Sequence, residues 1–134
     1  KFDISQDNFA WLLDNKEEQR SQKLEVHQTY TIKTRSFEAR MKETDQGFIV
    51  TKGSVAKKKL SPSCTETYRN MRKRLLETNV LTEYEDKLIF AEDTVFNSPS
   101  AASNMILGRN SNGLTEWVNE QGETFKQVQE KLNP

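Results

Sequence analysis

The stretch that most constrains the fold is residues 98–117, SPSAASNMILGRNSNGLTEW, because it carries its own start and stop signals. Ser98 is a favourable N-cap, and Pro99 suits the first helical position, where its missing N–H costs nothing. The helix is predicted to end near Leu107, with Gly108 just beyond it as the C-terminal stop. The chain therefore predicts a short helix with both ends defined locally.

A turn and a strand are predicted after this helix. Asn112-Gly113 is a tight-turn signal, and residues 114–118, LTEWV, are predicted to form a strand. Trp117 is expected to lie mostly in the core, since a tryptophan on a short strand usually packs. The glycines follow a helix and precede a strand, whereas a phosphate-binding loop needs a strand, then glycines, then a helix. This order excludes a nucleotide-binding loop.

Further strands are predicted by apolar and polar residues that alternate. Residues 37–42 alternate in this way, TDQG at 44–47 is a turn, and FIVT at 48–51 completes a predicted hairpin. The runs KLIF at 87–90 and TVF at 94–96 predict a second hairpin. A terminal helix that carries Phe125, Val128 and Leu132 is predicted after the turn NEQG at 119–122.

A helix over residues 65–78 is predicted by a capping box and an apolar stripe. Ser63 and Glu66 match the S-x-x-E pattern of the capping box, and Asn79 is a plausible stop. Basic side chains are expected to lie away from the stripe. The stripe consists of Cys64, Tyr68, Met71 and Leu75, and the basic side chains are Arg69, Arg72 and Lys73.

The N-terminal region differs from the rest of the chain. Asp7 can cap a helix whose apolar face is Phe9, Leu12 and Leu13, and the polar run at 15–23 follows it. We therefore predict a helical segment and linker over residues 1–24 and one small domain over 25–134.

The element order predicts an α+β domain with antiparallel strands, hairpins and three or four short helices. Because the chain begins with lysine, it is expected to be a piece of a longer polypeptide.

Composition removes several classes of site. Cys64 is the only cysteine and His27 the only histidine, which excludes an intrachain disulfide and a Cys/His zinc site. A single cysteine favours a reducing compartment, so a cytoplasmic location is expected. No apolar run has the length of a membrane span, and neither a membrane partner, a cofactor, a metal nor a small-molecule substrate is expected.

Catalytic patterns are weak in this chain. A histidine that stands alone is seldom a triad base, and Cys64 is expected to be a small core residue because it lies on the apolar stripe. Glu85-Asp86-Lys87 matches the E-x-K half of a restriction-type metal site, but no Pro-Asp pair completes it. A turn is the ordinary explanation for this tripeptide. No catalytic residue is predicted.

Charge is distributed unevenly along the chain. Residues 31–80 have 12 basic and 5 acidic side chains, whereas residues 81–134 have 4 and 9, although the net charge is zero. Either the fold collects a basic surface for a polyanion, or opposite charges interleave. Nucleic-acid binding is the remaining site hypothesis, with phosphate contacts from lysine and arginine and groove contacts near Arg109. The candidate residues are Lys52, Lys57, Lys58, Lys59, Arg69, Arg72, Lys73, Ser98, Ser100, Arg109, Asn110 and Asn112.

Several of these motifs together resemble a known family. GFIVTKGS at 47–54, FNSPSAAS at 96–103 and LGRNSNGLTEW at 107–117 are similar to a family of small bacterial domains of unknown function. Its members are often C-terminal to GIY-YIG-type nuclease domains or attached to restriction-system proteins. The chain also resembles the restriction-enzyme adenine-methylase-associated domain, which is proposed to read DNA. The resemblance covers about residues 37–130, and no GIY or YIG tripeptide occurs in the chain.

The resemblance implies a set of family positions and a function. It implies a noncatalytic DNA-binding accessory domain, with the rest of the parent polypeptide and DNA as partners. A protein-interaction domain that docks a neighbouring catalytic module is the alternative, and a metal-dependent nuclease is a third. The family positions are Gly53, Ser54, Ser98 to Ala102, Gly108, Arg109, Asn112, Gly113 and Trp117.

Overall fold

A computed structural model describes residues 2–3 and 26–133 of the protein. These residues form eight strands in two sheets and four helices. The strands are β1 (Phe2–Asp3), β2 (Val26–Lys33), β3 (Glu38–Thr44), β4 (Gly47–Val50), β5 (Val55–Lys57), β6 (Leu81–Tyr84), β7 (Lys87–Phe90) and β8 (Thr94–Phe96). The helices are α1 (Glu66–Glu77), α2 (Pro99–Leu107), α3 (Gly113–Glu116) and α4 (Phe125–Leu132). This is a small single-domain α+β fold, as predicted.

The larger sheet has the strand order β1-β8-β4-β3-β2. Its centre contains the predicted hairpin of β3 and β4, in which Met41 lies opposite Val50. Side chains alternate between core and solvent along β2 and β3, so that Tyr30, Ile32 and Met41 are buried. At the far edge β1 pairs in parallel with β8, a strand that the sequence did not predict. The predicted helix capped by Asp7 lies outside the described residues.

The smaller sheet, β5-β7-β6, corrects one predicted hairpin. Both β7 and β8 exist, but β7 pairs with β5 and β6, whereas β8 pairs with β4 and β1. The two-residue turn Glu85-Asp86 closes β6 onto β7, with Glu85 in the left-handed region at φ 57°. Because β8 is buried along its whole length, its place is the interior of the larger sheet rather than the edge of the smaller one.

Helix α1 has the predicted apolar face but a different start. Its N-cap is Thr65, so the capping box predicted from Ser63 is wrong. The Ser63 hydroxyl instead accepts a hydrogen bond from the Asn110 N–H at 3.2 Å, because a turn closed by Cys64 N–H and Ser61 O removes Ser63 from the helix. Cys64 and Leu75 are buried. The predicted stop at Asn79 is confirmed, since Asn79 adopts φ 63° just after the C-cap.

Helix α2 lies in the centre of the fold, and its bounds match the prediction. Ser98 is the N-cap, Pro99 the first helical residue, and Gly108 the left-handed C-cap at φ 66°. All seven residues from Ala101 to Leu107 are buried. A helix covered on all sides needs small residues where neighbouring elements approach, which explains the alanines and serine in its first turns.

The segment after α2 differs from the predicted turn and strand. Residues Gly113–Glu116 form α3, and Asn112 is its N-cap rather than part of a hairpin turn. Trp117 is fully buried, which confirms its predicted core position. The terminal helix α4 begins with a capping box of Thr124 and Gln127. It carries the three predicted apolar residues, of which Phe125 and Val128 are buried and Leu132, at the end of the helix, is 67% exposed.

None of the helices that the structure describes is long and apolar enough to cross a membrane.

Candidate nucleic-acid interface

The stretch 98–117 is held together by hydrogen bonds within itself. The Ser98 Oγ accepts from the Ala101 N–H at 3.0 Å, and the Ser100 Oγ accepts from the Gly113 N–H at 2.9 Å. The Trp117 Nε1–H donates to the Pro99 carbonyl at 2.9 Å. Ser98 and Ser100 were two candidate phosphate contacts. Their hydroxyls instead accept hydrogen bonds from backbone N–H groups and stabilise the local fold.

Buried polar side chains of α2 hold the turn at 108–112. The Asn104 Oδ1 accepts from the Ser111 N–H at 2.7 Å and from the Ser111 hydroxyl at 2.8 Å. The Ser103 and Ser111 hydroxyls are 2.6 Å apart. The Asn112 Oδ1, a candidate groove contact, accepts from the Leu114 N–H at 3.0 Å as the cap of α3. Hydrogen bonds from α2 therefore hold the turn in place, and its exposed side chains are those of Arg109, Asn110 and Asn112.

Arg72 does not lie on the exposed basic face, and that prediction is wrong. Only 4% of Arg72 is exposed, and its guanidinium donates to the carbonyl oxygens of Lys57, Lys58 and Met105. Burial lowers the pKa of Arg72 to about 10, which leaves it protonated at neutral pH. The Met105 carbonyl belongs to the last turn of α2, where a cation is favourable. Arg72, on α1, thus links this helix to the end of β5 and to α2, and it does not face solvent.

Arg69 also orders the lysine-rich segment. Its Nε–H donates to the Cys64 carbonyl at 3.0 Å and its Nη2 to the Ser61 carbonyl at 2.8 Å. The Ser61 N–H in turn donates to the Gly108 carbonyl at 2.8 Å. The segment that begins at Lys57 and the turn that carries Arg109 are therefore bound side by side.

This arrangement forms a cleft of about 510 Å³, which we call the basic cleft. It lies between the β2–β3 connection, the outer face of the smaller sheet and the C-terminal end of α2. Its lining residues are Thr34, Ser36, Phe37, Lys57, Lys59, Asp86, Lys87, Leu107 and Arg109.

Four cations and one carboxylate line the basic cleft. The Lys87 Nζ is 3.4 Å from the Asp86 Oδ1, and the Arg109 Nη2 is 3.3 Å from the Glu116 Oε2. Within the described part of the chain, neither Lys57 nor Lys59 forms an ion pair. Counted over the described residues, the cleft therefore has an excess of positive charge.

The remaining predicted cations are placed elsewhere. Because successive residues of an extended segment point to opposite sides, Lys58 faces away from Lys57 and its Nζ lies 3.2 Å from the Glu83 Oε2. Lys52 and Lys73 are exposed but do not line the basic cleft. The structure thus brings together Lys57, Lys59 and Arg109 from the predicted set and separates the others from them.

A second cleft of about 440 Å³ adjoins the first and shares Thr34, Leu107 and Arg109 with it. Its other charged residues are Lys33, Glu116 and Glu120. The charges of this second cleft balance, whereas those of the basic cleft do not. The guanidinium of Arg109 lies where the two meet.

Sequence reasoning missed Lys87 and Phe37 as members of the site. Lys87 lies opposite Lys57 in the register of β5 and β7, so a correct pairing of the two strands would have placed both lysines on one face. Phe37 is half-buried beside this face. No local signal identifies it, because the cations that line the cleft with it are distant in the chain.

The residues that the sequence offered for catalysis, Cys64, His27 and the tripeptide 85–87, do not form a common site among the described residues. Cys64 is buried, as expected for a small core residue, and the His27 Nε2 lies 2.6 Å from the Asp45 Oδ1 at an exposed position. Glu85 and Asp86 form the turn between β6 and β7. Among the described residues, no group of three or more His, Cys, Asp or Glu side chains is placed to hold a metal ion.

Comparison with known proteins gives one match. The family model described as a domain of unknown function, DUF4357, matches residues 30–129, which contain both clefts and the stretch 98–117. No curated protein and no solved structure matches the chain.

Proposed function

The chain belongs to the DUF4357 family of domains, and from this premise we propose that it is a noncatalytic, DNA-binding accessory module. We further propose that the module is part of a larger bacterial nuclease or restriction-type protein of the GIY-YIG-associated kind, which acts in the cytoplasm. DNA is the proposed partner, together with the rest of that polypeptide.

One observation carries the proposal: Lys57, Lys59, Lys87 and Arg109 converge on one cleft, in which Asp86 is the single carboxylate among the residues that the structure describes. Cations that bind phosphates release condensed counterions, and this release favours binding independently of base sequence. Cations without ion-pair partners are the most effective, since no intramolecular contact has to break. Lys57 and Lys59 meet that condition among the described residues.

Arg109 has a distinct role in this proposal. It lies on a turn fixed to α2 through Ser111, and its side chain is exposed. A planar guanidinium on a rigid support can contact a phosphate or a base edge with two hydrogen bonds. The neighbouring Asn110 is exposed as well. Lys52 and Lys73, outside the cleft, contribute only long-range attraction.

The test is duplex-DNA binding by fluorescence anisotropy across a salt series. We expect affinity that falls steeply with salt, and a triple variant with Lys57→Gln, Lys59→Gln and Lys87→Gln that reduces the log–log slope by about 3. A matched control triple, Lys42→Gln, Lys58→Gln and Lys126→Gln, removes equal charge at exposed positions outside the cleft. Equal losses in the two triples, or undetectable binding of both duplex and single-stranded DNA at low salt, contradicts the proposal.

The alternative of a protein-docking domain requires an apolar patch on the surface. The exposed large apolar side chains of the described residues are Val26, Tyr84, Leu114 and Leu132. They belong to four different elements, β2, β6, α3 and α4. No second function is proposed, because single apolar residues at a surface are ordinary.

A further inference from the structure

Tyr84 is the one aromatic side chain among residues 26–133 that is exposed, and 62% of it is accessible to solvent. Resting on the proposed function, we infer that the basic cleft and Tyr84 together bind an unpaired stretch of DNA. The Tyr84 ring stacks on one base, and the lysines of the cleft contact the adjoining phosphates. The substrate class is thus a single strand, an overhang or an unwound segment rather than continuous duplex.

The strand register places Tyr84 beside the cleft. Tyr84 on β6 lies opposite Lys87 on β7, which lies opposite Lys57 on β5. Residues opposite one another in an antiparallel sheet share a face, with Cβ atoms about 5 Å apart. The three side chains therefore form one row across the outer face of the smaller sheet, with the aromatic ring at one end and two cations beside it.

The edge position leaves the ring free to stack. β6 is an edge strand of its sheet, and among residues 26–133 no further strand pairs with it on that side. Of the acidic residues around Tyr84, Glu83 faces away and pairs with Lys58, whereas Glu85 and Asp86 form the turn, with the Asp86 Oδ1 3.4 Å from the Lys87 Nζ. A nucleotide chain is thereby directed from Tyr84 across Lys87 toward Lys57.

The shape of the cleft favours the same substrate. At about 510 Å³ it falls in the range of cavities that enclose a small molecule, and half-buried Phe37 gives it an apolar wall. A single nucleotide can enter such a space, whereas the bases of a duplex are stacked on one another and expose no ring face. Cationic grooves with aromatic platforms are the usual way to bind single strands without sequence preference.

The experiment compares a 15-nucleotide oligothymidine with a 15-base-pair duplex by fluorescence anisotropy at the same low salt. We expect tighter binding of the single strand, and a Tyr84→Ala variant that weakens it by about 5- to 150-fold while duplex affinity stays unchanged. A Tyr84→Phe variant, which keeps the ring, should bind the single strand within about two-fold of wild type. Thermal melts of both variants verify that each is folded.

The outcomes separate this inference from the proposed function. If Tyr84→Ala binds the single strand like wild type, or if duplex binds at least as tightly as the single strand, the inference is wrong. The proposed function then still stands when the lysine triple variant loses duplex affinity. If neither oligonucleotide binds the wild-type protein, both are wrong.

Discussion

The backbone of Gly113 lies against the backbone of Pro99, so closely that a Cβ on Gly113 would stand 2.2 Å from the Pro99 carbonyl carbon. The Gly113 N–H also donates to the Ser100 Oγ at 2.9 Å. This contact docks the start of α3 on the start of α2 and determines the path of the intervening turn. The position of Arg109 at the basic cleft therefore depends on a glycine outside the cleft.

Replacing Gly113 with alanine is expected to destabilise the protein by about 1–3 kcal/mol or more, since the added methyl group meets backbone atoms that cannot rotate away. Chemical denaturation measures the change. Gly122→Ala is the control, because nothing lies within 4 Å of its Cβ and only its φ of 81° is unfavourable. A Gly113→Ala protein as stable as wild type would show that the close approach to Pro99 is unimportant.

Replacing Arg72 with methionine is expected to lower the free energy of unfolding by about 3 kcal/mol, because the carbonyls of Lys57, Lys58 and Met105 lose their donor. Arg72→Lys should recover only part of the lost free energy of unfolding, because a lysine does not reproduce the planar donor geometry of the guanidinium. The control Lys73→Met, at an exposed position on the same helix, should stay within about 0.5 kcal/mol of wild type. A fully stable Arg72→Met protein would contradict the structural role.

The N-caps of α1 and α2 should respond differently to alanine. The Ser98 Oγ accepts from the Ala101 N–H, so Ser98→Ala is expected to cost about 1 kcal/mol. The side chain of Thr65 makes no capping hydrogen bond, and Thr65→Ala should cost clearly less. Urea titrations of the two variants give the comparison, and a larger loss for Thr65→Ala would reverse the assignment of the caps.

Glu116 is expected to weaken DNA binding through Arg109. Its Oε2 lies 3.3 Å from the Arg109 Nη2, so the carboxylate competes with a phosphate for the guanidinium. Glu116→Gln should raise duplex affinity by about two- to five-fold, in line with the small energy of an exposed ion pair. Glu120→Gln, the other carboxylate of the second cleft, removes the same charge without that ion pair. An equal gain in both variants would indicate general electrostatics rather than release of Arg109.

Glu43 should make stability fall as pH rises. Burial raises the pKa of Glu43 above its ordinary value, with His27 opposing the shift. The folded state then holds its proton more tightly than the unfolded state, so the contribution is complete below about pH 4.3, the ordinary glutamate pKa, and is lost as pH rises through the folded-state pKa. Since Glu43 is only half-buried, solvent screens its charge and the loss should be small. Unfolding of Glu43→Gln and wild type, measured between pH 4 and 7, should show wild type losing stability relative to the variant.

Local signals predicted α2 well because everything that defines its ends lies within a few residues. Ser98, Pro99 and Gly108 act through capping, a missing N–H and a left-handed φ, and none of these needs a distant partner. The hairpin of β3 and β4 was equally local. The same reasoning failed for Ser63, since a competing turn from Ser61 to Cys64 removed it from the helix start.

Long-range pairing could not be predicted from the same signals. The runs at 87–90 and 94–96 both form strands, yet the choice of partner strand depends on which apolar surface each one can cover. Asn112-Gly113 illustrates a related difficulty. Asn and Gly are as favourable at the start of a helix as in a hairpin turn. The contact of Gly113 with Pro99 selects the helix start.

The sequence by itself determined the α+β class, the helix that begins at Ser98, the core position of Trp117 and the excess of basic residues in the middle of the chain. Only the tertiary structure decided which of those cations share a surface. In the folded protein, Arg72 is buried among carbonyl oxygens and Lys58 pairs with Glu83. Lys87 lies beside Lys57. The physical reason is that capping and periodicity act over a few residues, whereas the surroundings of a charge are set by strand register and packing between distant segments.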